Sequence, residues 1–290
     1  MSKPKLILLV GIPGAGKTTY AKEYIKSNLK TVHLSSDLIR AELYGDESIQ
    51  GNPSEVFSLM QQRAMGALSE GKDVIYDATN ITRKDRSSII GICPKFTKIE
   101  AHIIWAPIET CIERDATRDR TVGKAVIDKM LKRFQAPYYD EGIDEIKIIL
   151  PDKFNVMKYH DNAIFAMKIP HDNPHHTLDI YHHCMEAFEE VCCSSIDSDV
   201  RIAALYHDIG KPYVKAFIDS KGNPCEHAHY YQHQCLGAYL SYGLPNITPD
   251  IAWLISTHMD PFLNTKYYKS LPTFLKKDID LLHEADLAAH

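Results

Sequence analysis

The chain has 290 residues, of which 44% are hydrophobic and 24% are charged, so it is long enough for two domains and is not a disordered polymer. Its formal net charge of −5 argues against a generally basic protein that coats nucleic acid, and its seven cysteines, which include no CxxC pair, provide neither a disulfide framework nor zinc-finger spacing. The apolar run at residues 6–10 is too short for a membrane span or a secretory signal, and we therefore expect a soluble, cytoplasmic protein.

The first half of the chain alternates short apolar strands with helical stretches. Strands are predicted at residues 5–10, 31–34, 73–76, 98–104 and 146–150, and helices over residues 53–70, 83–92, 108–117 and 124–134. This alternation indicates an α/β domain with a parallel sheet and flanking helices. In such sheets, ligands gather at the carboxyl ends of the strands.

A glycine-rich turn, GIPGAGKT at residues 11–18, follows the first predicted strand and leads into a helix that begins near Lys17. It fits the pattern G-x-x-x-x-G-K-[ST] in the strand-to-helix context that phosphate binding requires. The glycines let backbone N–H groups converge on phosphates, Lys17 neutralises the β and γ oxygens, and Thr18 offers a hydroxyl to Mg²⁺. ATP and Mg²⁺ are therefore the expected ligands. The expected cofactor-binding residues of this turn are Gly11, Gly14, Gly16, Lys17, Thr18 and Thr19.

Polar residues follow the second and third predicted strands. Asp37, in SSDLIR at residues 35–40, is placed to accept the proton of a hydroxyl acceptor, although an aspartate there is also a common helix N-cap. Arg40, one turn further on, either binds a phosphate of the acceptor or is a solvated surface arginine. Asp77, in DATN at residues 77–80, is typical of an acid that orients Mg²⁺, with a strand-terminal turn residue as the alternative.

An arginine-rich segment, RDATRDR at residues 114–120, ends one predicted helix and precedes the next. Its arginines alternate with Asp115 and Asp119, which is also compatible with a solvated face of salt bridges. Beside a phosphate loop, they are better interpreted as a lid that closes over phosphates. The arginines of this expected lid are Arg114, Arg118 and Arg120.

These four segments resemble the 5′-hydroxyl polynucleotide kinase branch of the P-loop phosphotransferases, and the resemblance covers about half of the chain. It implies that Lys17 and Thr18 contact ATP and metal and that Asp37 is the general base for a polynucleotide 5′-hydroxyl. It also implies that Arg40 contacts the acceptor strand. The resemblance assigns the lid to Arg118 as the principal arginine, with Arg114 and Arg120 beside it. Related kinases that act on small hydroxylated metabolites share much of this arrangement of segments.

The second half of the chain is predicted to be all-α and carries 13 of the 15 histidines. Helices are expected over residues 177–193, 199–207, 229–242 and 249–258, and from residue 276 to the C-terminus. A possible β-hairpin lies across residues 213–226. We therefore divide the chain into one domain at residues 1–152 and a second at residues 153–290.

Histidines and aspartates near the ends or on one face of these helices suit a divalent metal. His207 and Asp208 stand where an apolar helix stops at Gly210. Together with His183 and Asp286, they provide nitrogen and oxygen ligands for a transition metal, with Mg²⁺ or Mn²⁺ also tolerated. An ionised Asp208 buried without a cation or partner would be costly.

The ordered series of these residues resembles the HD phosphohydrolase superfamily over most of residues 170–290. The resemblance implies a helical, metal-dependent phosphoesterase that binds one or two divalent metal ions. Its implied core ligands are His183, His207, Asp208 and Asp286, and its implied second-metal ligands are His233 and His258.

Four further residues of this half have roles that stay open. His182 could replace His183 as a ligand, although the alignment with the family position favours His183. Lys211, one helical turn after His207, is expected to neutralise the phosphate being hydrolysed. His175 and His176 either hold the substrate phosphate, act as an acid or form an ordinary turn beside Pro174.

Together the two halves favour RNA end healing, with DNA ends as a second possibility. A kinase and a phosphohydrolase that acted on one hydroxyl would undo each other, whereas a 5′-kinase and a 3′-phosphatase would prepare ends for a separate ligase. The expected partners are polynucleotide ends and nucleotides, with no membrane. The leading alternative is a nucleotide-metabolism enzyme that joins a small-molecule kinase to an HD nucleotidase, and a second is an ATP-gated binding module.

Overall fold

The computed structural model describes residues 3–118, 120–174, 177–263 and 265–289. The chain divides into two compact units. The first, which we call the α/β unit, comprises Met1–Met130 and Pro137–Lys153. The second, which we call the helical unit, comprises Leu131–Ala136 and Phe154–His290.

The α/β unit is built on a parallel sheet. Its strands are β1 (Lys5–Val10), β2 (Thr31–Ser35), β3 (Asp73–Asp77), β4 (Lys98–Ile104) and β5 (Glu145–Ile149), in the spatial order β2-β3-β1-β4-β5. Every neighbouring pair of these strands is parallel. The central strand β1 is buried along nearly its whole length, as expected for a strand covered on both faces. The predicted fold class of the first half is thus confirmed.

Helices connect these strands. They are α1 (Lys17–Ser27), α2 (Ser36–Tyr44), α3 (Pro53–Ser69), α4 (Arg83–Ile90), α5 (Ile108–Ala116) and α6 (Lys124–Leu131), followed by a 3₁₀ turn at Tyr139–Glu141. Local signals explain where several of them begin. Asn52 caps α3 through its side chain, ahead of Pro53 at the first position, and Thr82 and Asp85 form a reciprocal capping box at α4.

The helical unit consists of helices and one hairpin. The helices are α7 (Val156–Met167), α8 (Ile180–Ser194), α9 (Ser198–Tyr206), α10 (Lys211–Val214), α11 (His233–Ser241), α12 (Pro249–Thr257), α13 (Asp260–Leu263), α14 (Thr265–Ser270) and α15 (Thr273–Ala288). Strands β6 (Ala216–Ile218) and β7 (Pro224–His229) form the predicted antiparallel hairpin. The predicted helical architecture of the second half is confirmed.

Two helices begin later than predicted, α8 at Ile180 and α11 at His233. The expected helix over residues 229–242 starts at His233 because His229 pairs with Ala216 in the hairpin and Gln232 has a φ of 63°. A left-handed residue cannot continue a right-handed helix, so the helix begins after it.

A short segment from the middle of the chain belongs to the helical unit. Within Leu131–Ala136, the Phe134 side chain is fully buried, and its ring meets the rings of Tyr239 and Tyr242 edge-on at centroid distances of 5.5 and 6.1 Å. The Ala136 N–H donates to Ser256 Oγ at 3.4 Å. In the part of the chain that the structure describes, no helix is both long enough and apolar enough to cross a bilayer.

Candidate functional site

The glycine-rich loop between β1 and α1 has the backbone shape of a phosphate cradle. Gly14 and Gly16 have φ values of 79° and 103°, in the left-handed region that favours glycine. A Cβ atom on Gly14 would lie 2.1 Å from the Cys111 carbonyl oxygen, so no larger residue fits there. The loop ends at Lys17, the first residue of α1, so that N–H groups at the helix start are available to an anion.

Lys17 folds back onto this loop. Its Nζ donates to the Ile12 carbonyl oxygen at 3.0 Å. Burial lowers the pKa of Lys17, and the nearby charge of Asp77 opposes that shift. A cation that is partly stripped of water beside a cradle of N–H groups is suited to binding phosphate oxygens.

Thr18 and Asp77 meet at the carboxyl edge of the sheet. Thr18 Oγ1 donates to Asp77 Oδ2 at 2.9 Å, and the same oxygen lies 3.0 Å from His33 Nε2. Asp77 is buried, whereas Thr19 in the same turn as Thr18 is exposed. A hydroxyl and a carboxylate at this distance are hard oxygen donors of the kind that Mg²⁺ binds. Sequence reasoning missed His33, whose one signal is a polar ring between the apolar residues Val32 and Leu34 of β2.

Asp37 lies in the first turn of α2, held by two arginines. Ser35, not Asp37, caps α2, because the Ser35 hydroxyl accepts the Asp37 N–H at 3.3 Å. Asp37 Oδ1 instead accepts from Arg40 Nη1 at 2.7 Å and from Arg120 Nη1 at 2.5 Å. The two arginine side chains are only 10% and 14% exposed, whereas Asp37 is 42% exposed. Burial lowers the pKa of Arg40, and the nearby charge of Asp37 opposes that shift.

The arginine-rich segment is anchored by Asp115. This buried carboxylate accepts the N–H groups of Val122 and Gly123 at 3.0 and 2.9 Å and pairs with Arg118 Nη2 at 2.5 Å. Burial would raise the pKa of Asp115, but these hydrogen bonds hold it below its ordinary value. Arg118 is 41% exposed, and Arg114 Nη1 donates to the Gly14 carbonyl oxygen at 3.3 Å. Asp119 lies outside the described residues.

The helical unit gathers the predicted ligands into two groups that share Asp208. In the first group, Asp286 Oδ1 lies 2.9 Å from His183 Nε2 and 3.2 Å from His207 Nε2. Asp208 Oδ2 lies 3.5 and 3.4 Å from the same two nitrogens. One ligand atom from each of these four residues falls within 4.8 Å of all the others. The structure therefore brings together His183, His207, Asp208 and Asp286.

The second group joins Asp208 to two further histidines. His233 Nε2 lies 3.1 Å from Asp208 Oδ1 and 3.1 Å from His258 Nε2. His233 reaches this place because Gly210 allows close packing: a Cβ atom on Gly210 would lie 2.1 Å from the His233 carbonyl oxygen. All three members of the second group are buried.

Backbone carbonyls determine which nitrogen of each ring faces the groups. The Nδ1 atoms of His207, His233 and His258 lie 2.8, 2.9 and 2.9 Å from carbonyl oxygens three residues earlier in the chain. Because a carbonyl only accepts, each Nδ1 carries a proton and each Nε2 is available as a ligand. Imidazole lone pairs and carboxylate oxygens that face each other at about 3 Å fit a shared cation.

The charged groups of this cluster shift one another's pKa values. Burial would lower the pKa of His207, but the carboxylates of Asp208 and Asp286 raise it well above its ordinary value. Burial and the charges of His233 and His207 lower the pKa of His258 to about 3. Burial would raise the pKa of Asp208, but the charges of Lys211 and His207 hold it well below its ordinary value. The carboxylates are thus ionised, as metal ligands must be.

Of the other histidines in the helical unit, His182 lies away from the two ligand groups, whereas His171 lies near them. His182 is 61% exposed and pairs with Asp179, the N-cap of α8, at 2.8 Å, so it lies away from the group that includes His183. His175 and His176 lie outside the described residues. His171, which the sequence did not single out, is buried, and its Nε2 lies 3.4 Å from Lys211 Nζ. Lys211 Nζ in turn lies 2.5 Å from Asp208 Oδ2.

Two family matches agree with this geometry. Residues 6–137 match the family described as AAA domain, and residues 175–286 match the family described as HD domain. The chain carries an AAA domain followed by an HD domain. The predicted pairing of a P-loop domain with an HD domain is therefore confirmed. The AAA domain implies ATP and Mg²⁺, and the HD domain implies a bound metal.

Curated relatives match about half of this chain. Transcription factor bHLH140 of Arabidopsis thaliana is 26% identical over 159 residues, which are 52% of this chain and 16% of that protein. L-seryl-tRNA(Sec) kinase of Methanococcus maripaludis is 27% identical over 143 residues, which are 46% of this chain and 53% of that protein. The chain thus spans at most about half the length of these relatives. Among solved structures, the Pnkp1/Rnl/Hen1 RNA repair complex matches with 24% identity, 46% of this chain, 44% of that chain and a TM-score of 0.41.

Proposed function

We propose that this protein is an enzyme that heals polynucleotide ends, with RNA as the favoured substrate and DNA as a second one. The AAA domain, within residues 1–152, phosphorylates a 5′-hydroxyl. The HD domain, within residues 153–290, removes a 3′-phosphate or opens and removes a 2′,3′-cyclic phosphate. The products are ends with a 5′-phosphate and a 3′-hydroxyl, which a separate ligase can join.

The observation that carries the kinase half is the position of Asp37 between Arg40 and Arg120, on α2 directly after β2. Both arginines bind Oδ1, which leaves Oδ2 to accept the proton of the attacking hydroxyl. Arg40 is largely buried, and its Nε is a buried donor without a hydrogen-bond partner among the described residues. A phosphate of the acceptor strand would satisfy that donor.

Residues of the loop and the lid hold the donor nucleotide in this proposal. When bound, ATP supplies the phosphoryl group, with Mg²⁺ neutralising its charge. Lys17 and the loop N–H groups bind the β and γ oxygens, Thr18 and Asp77 hold the metal, and the lid arginines neutralise the charge that develops on the transferred group. The proposed lid residues are Arg118, Arg114 and Arg120.

The two ligand groups of the HD domain carry the phosphatase half. One or two divalent metal ions would be held by the group with Asp286 and by the group with His258, which share Asp208. A metal bound there supplies an activated water and polarises a phosphoryl oxygen. Lys211 neutralises the phosphate, because its ammonium lies beside Asp208 in the same cluster.

The relative named L-seryl-tRNA(Sec) kinase supports an acceptor hydroxyl attached to RNA. Two opposed activities in one chain also favour a substrate with two chemically different ends, since each end then receives only one reaction.

Transfer of labelled phosphate separates this proposal from a small-molecule kinase. The protein is incubated with γ-labelled ATP and, in parallel, with a 5′-hydroxyl RNA oligonucleotide, the matching DNA oligonucleotide and nucleosides. We expect label on the RNA, less on the DNA and none on nucleosides. Label on nucleosides alone would overturn the end-healing assignment in favour of nucleotide metabolism.

Phosphate release tests the second activity. RNA that ends in a 3′-phosphate or in a 2′,3′-cyclic phosphate is incubated with metal-loaded protein, and the released phosphate is measured. Each site also provides the matched control for the other. Asp37→Asn should strongly slow label transfer and leave phosphate release intact. Asp208→Asn should strongly slow phosphate release and leave label transfer intact. Release that persists in Asp208→Asn would contradict the assigned site.

A further inference from the structure

A closed ring of hydrogen bonds and ion pairs includes the ammonium group of Lys211. Lys211 Nζ lies 2.5 Å from Asp208 Oδ2 and 3.4 Å from His171 Nε2. On the other side of the carboxylate, His233 Nε2 lies 3.1 Å from Asp208 Oδ1, and His233 Nδ1 donates to the Tyr230 carbonyl oxygen at 2.9 Å. The Tyr230 hydroxyl donates to the carbonyl oxygen of His171, which closes the ring.

The partners of His171 determine the state of its imidazole. Its Nδ1 lies 2.9 Å from the Leu178 carbonyl oxygen, which only accepts, so Nδ1 carries the proton and Nε2 presents a lone pair to Lys211. In this tautomer His171 is an acceptor for the Lys211 ammonium.

The ammonium group of Lys211 has three protons to direct. Among the described residues, its polar partners are Asp208 and His171, while the ring of Tyr230 lies 5.4 Å from Nζ. Two protons thus have fixed acceptors, and the third is left for a ligand. Without His171, only the Asp208 carboxylate would hold the Lys211 ammonium. Electrostatic attraction would then draw Nζ further toward the Asp208 oxygens, which are proposed metal ligands.

We infer that His171 is a positioning residue of the HD domain, which holds the Lys211 ammonium so that one of its protons faces an oxygen of a bound phosphate. This inference rests on the proposed phosphohydrolase function. His171 acts through Lys211 and is not itself a ligand of the metal groups. The ligand class is inorganic phosphate or a phosphomonoester.

Binding of inorganic phosphate to the full-length, Mn²⁺-loaded protein, measured by isothermal titration calorimetry, tests this inference. We expect His171→Leu to raise the Kd for phosphate about 10-fold or more, as loss of a supporting partner typically does, with the metal content unchanged. His171→Gln, whose amide oxygen can accept from Lys211, should recover most of the lost affinity. His160→Gln is the matched control, because His160 pairs with the Tyr206 hydroxyl at 3.1 Å outside the ring.

Tyr230→Phe provides a second test if His171→Leu does not fold, because it removes only the hydroxyl that holds His171. We expect it to weaken phosphate binding as well. The inference is overturned by phosphate affinity that is unchanged in these variants, by a Gln variant that binds no better than the Leu variant, or by loss of metal together with phosphate. Phosphate binding that depends on His171 in a protein that releases no phosphate from RNA would refute the proposed function and leave this inference standing.

Discussion

The buried pair of Asp208 and Lys211 allows a quantitative test of the metal-free HD domain. Their side chains are 1% and 9% exposed, and the charged atoms are 2.5 Å apart. Removing one partner of such a pair leaves an uncompensated buried charge and costs about 3–5 kcal/mol. Replacing both partners by groups of similar shape is often neutral. Asp208→Asn should therefore lower the free energy of unfolding by about 3 kcal/mol or more, and Asp208→Asn with Lys211→Met should recover much of it.

Tryptophan fluorescence can follow this effect in the helical unit alone. The chain has two tryptophans, Trp105 in the α/β unit and Trp253 in the helical unit. In a Trp105→Phe background, urea unfolding of chelator-treated protein reports on Trp253. A double-mutant cycle then gives the coupling energy, which we expect to be about 2–3 kcal/mol. Additive effects of the two substitutions would refute the reasoning, because they would mean that the two charges do not compensate each other.

Three further predictions concern the AAA domain. Asp37→Asn should slow phosphoryl transfer about 10²- to 10⁴-fold, the usual contribution of a general base, without changing ATP affinity measured by calorimetry; an unchanged rate would remove the base assignment. Thr18→Ala should weaken ATP binding when Mg²⁺ is present but not in EDTA, and equal losses in both conditions would argue against a metal role. Burial would raise the pKa of Glu100, but hydrogen bonds from Lys5 and Lys98 hold it below its ordinary value of 4.5, so the stability that its charge contributes decreases as the pH falls from 4.5 toward the lower pKa of the folded protein. Glu100→Gln should therefore reduce the acid-induced loss of unfolding free energy in the α/β unit, and an unchanged pH profile by fluorescence would contradict this.

Local signals were sufficient to predict the architecture of both units. Short apolar runs separated by helical stretches are typical of a parallel sheet, because each strand is covered on both faces. The phosphate loop was equally predictable, since a left-handed turn such as that at Gly14 demands glycine. Both features depend on neighbours within a few residues, which a sequence displays directly.

The resemblance to HD phosphohydrolases grouped His183 with Asp286, 103 residues away, but other partners that are distant in the chain were not predicted. Arg120 is 83 residues from Asp37, His33 is 44 residues from Asp77, and His171 is 40 residues from Lys211. These pairs meet only because separate elements pack together, and no spacing rule encodes them. The start of α11 was mispredicted for a related reason, since Gln232 adopts a left-handed φ in its folded surroundings.

Phe134 has a practical consequence for anyone who wants to study the halves separately. A cut between residues 152 and 153 would place Phe134 on the N-terminal fragment. Tyr239 and Tyr242, on the C-terminal fragment, would then lose the ring that packs against them. Loss of a buried phenylalanine typically costs about 3–5 kcal/mol. An HD-domain fragment that begins after residue 152 would therefore be expected to express poorly, and inactivity of such a fragment would say little about the residues of its two ligand groups.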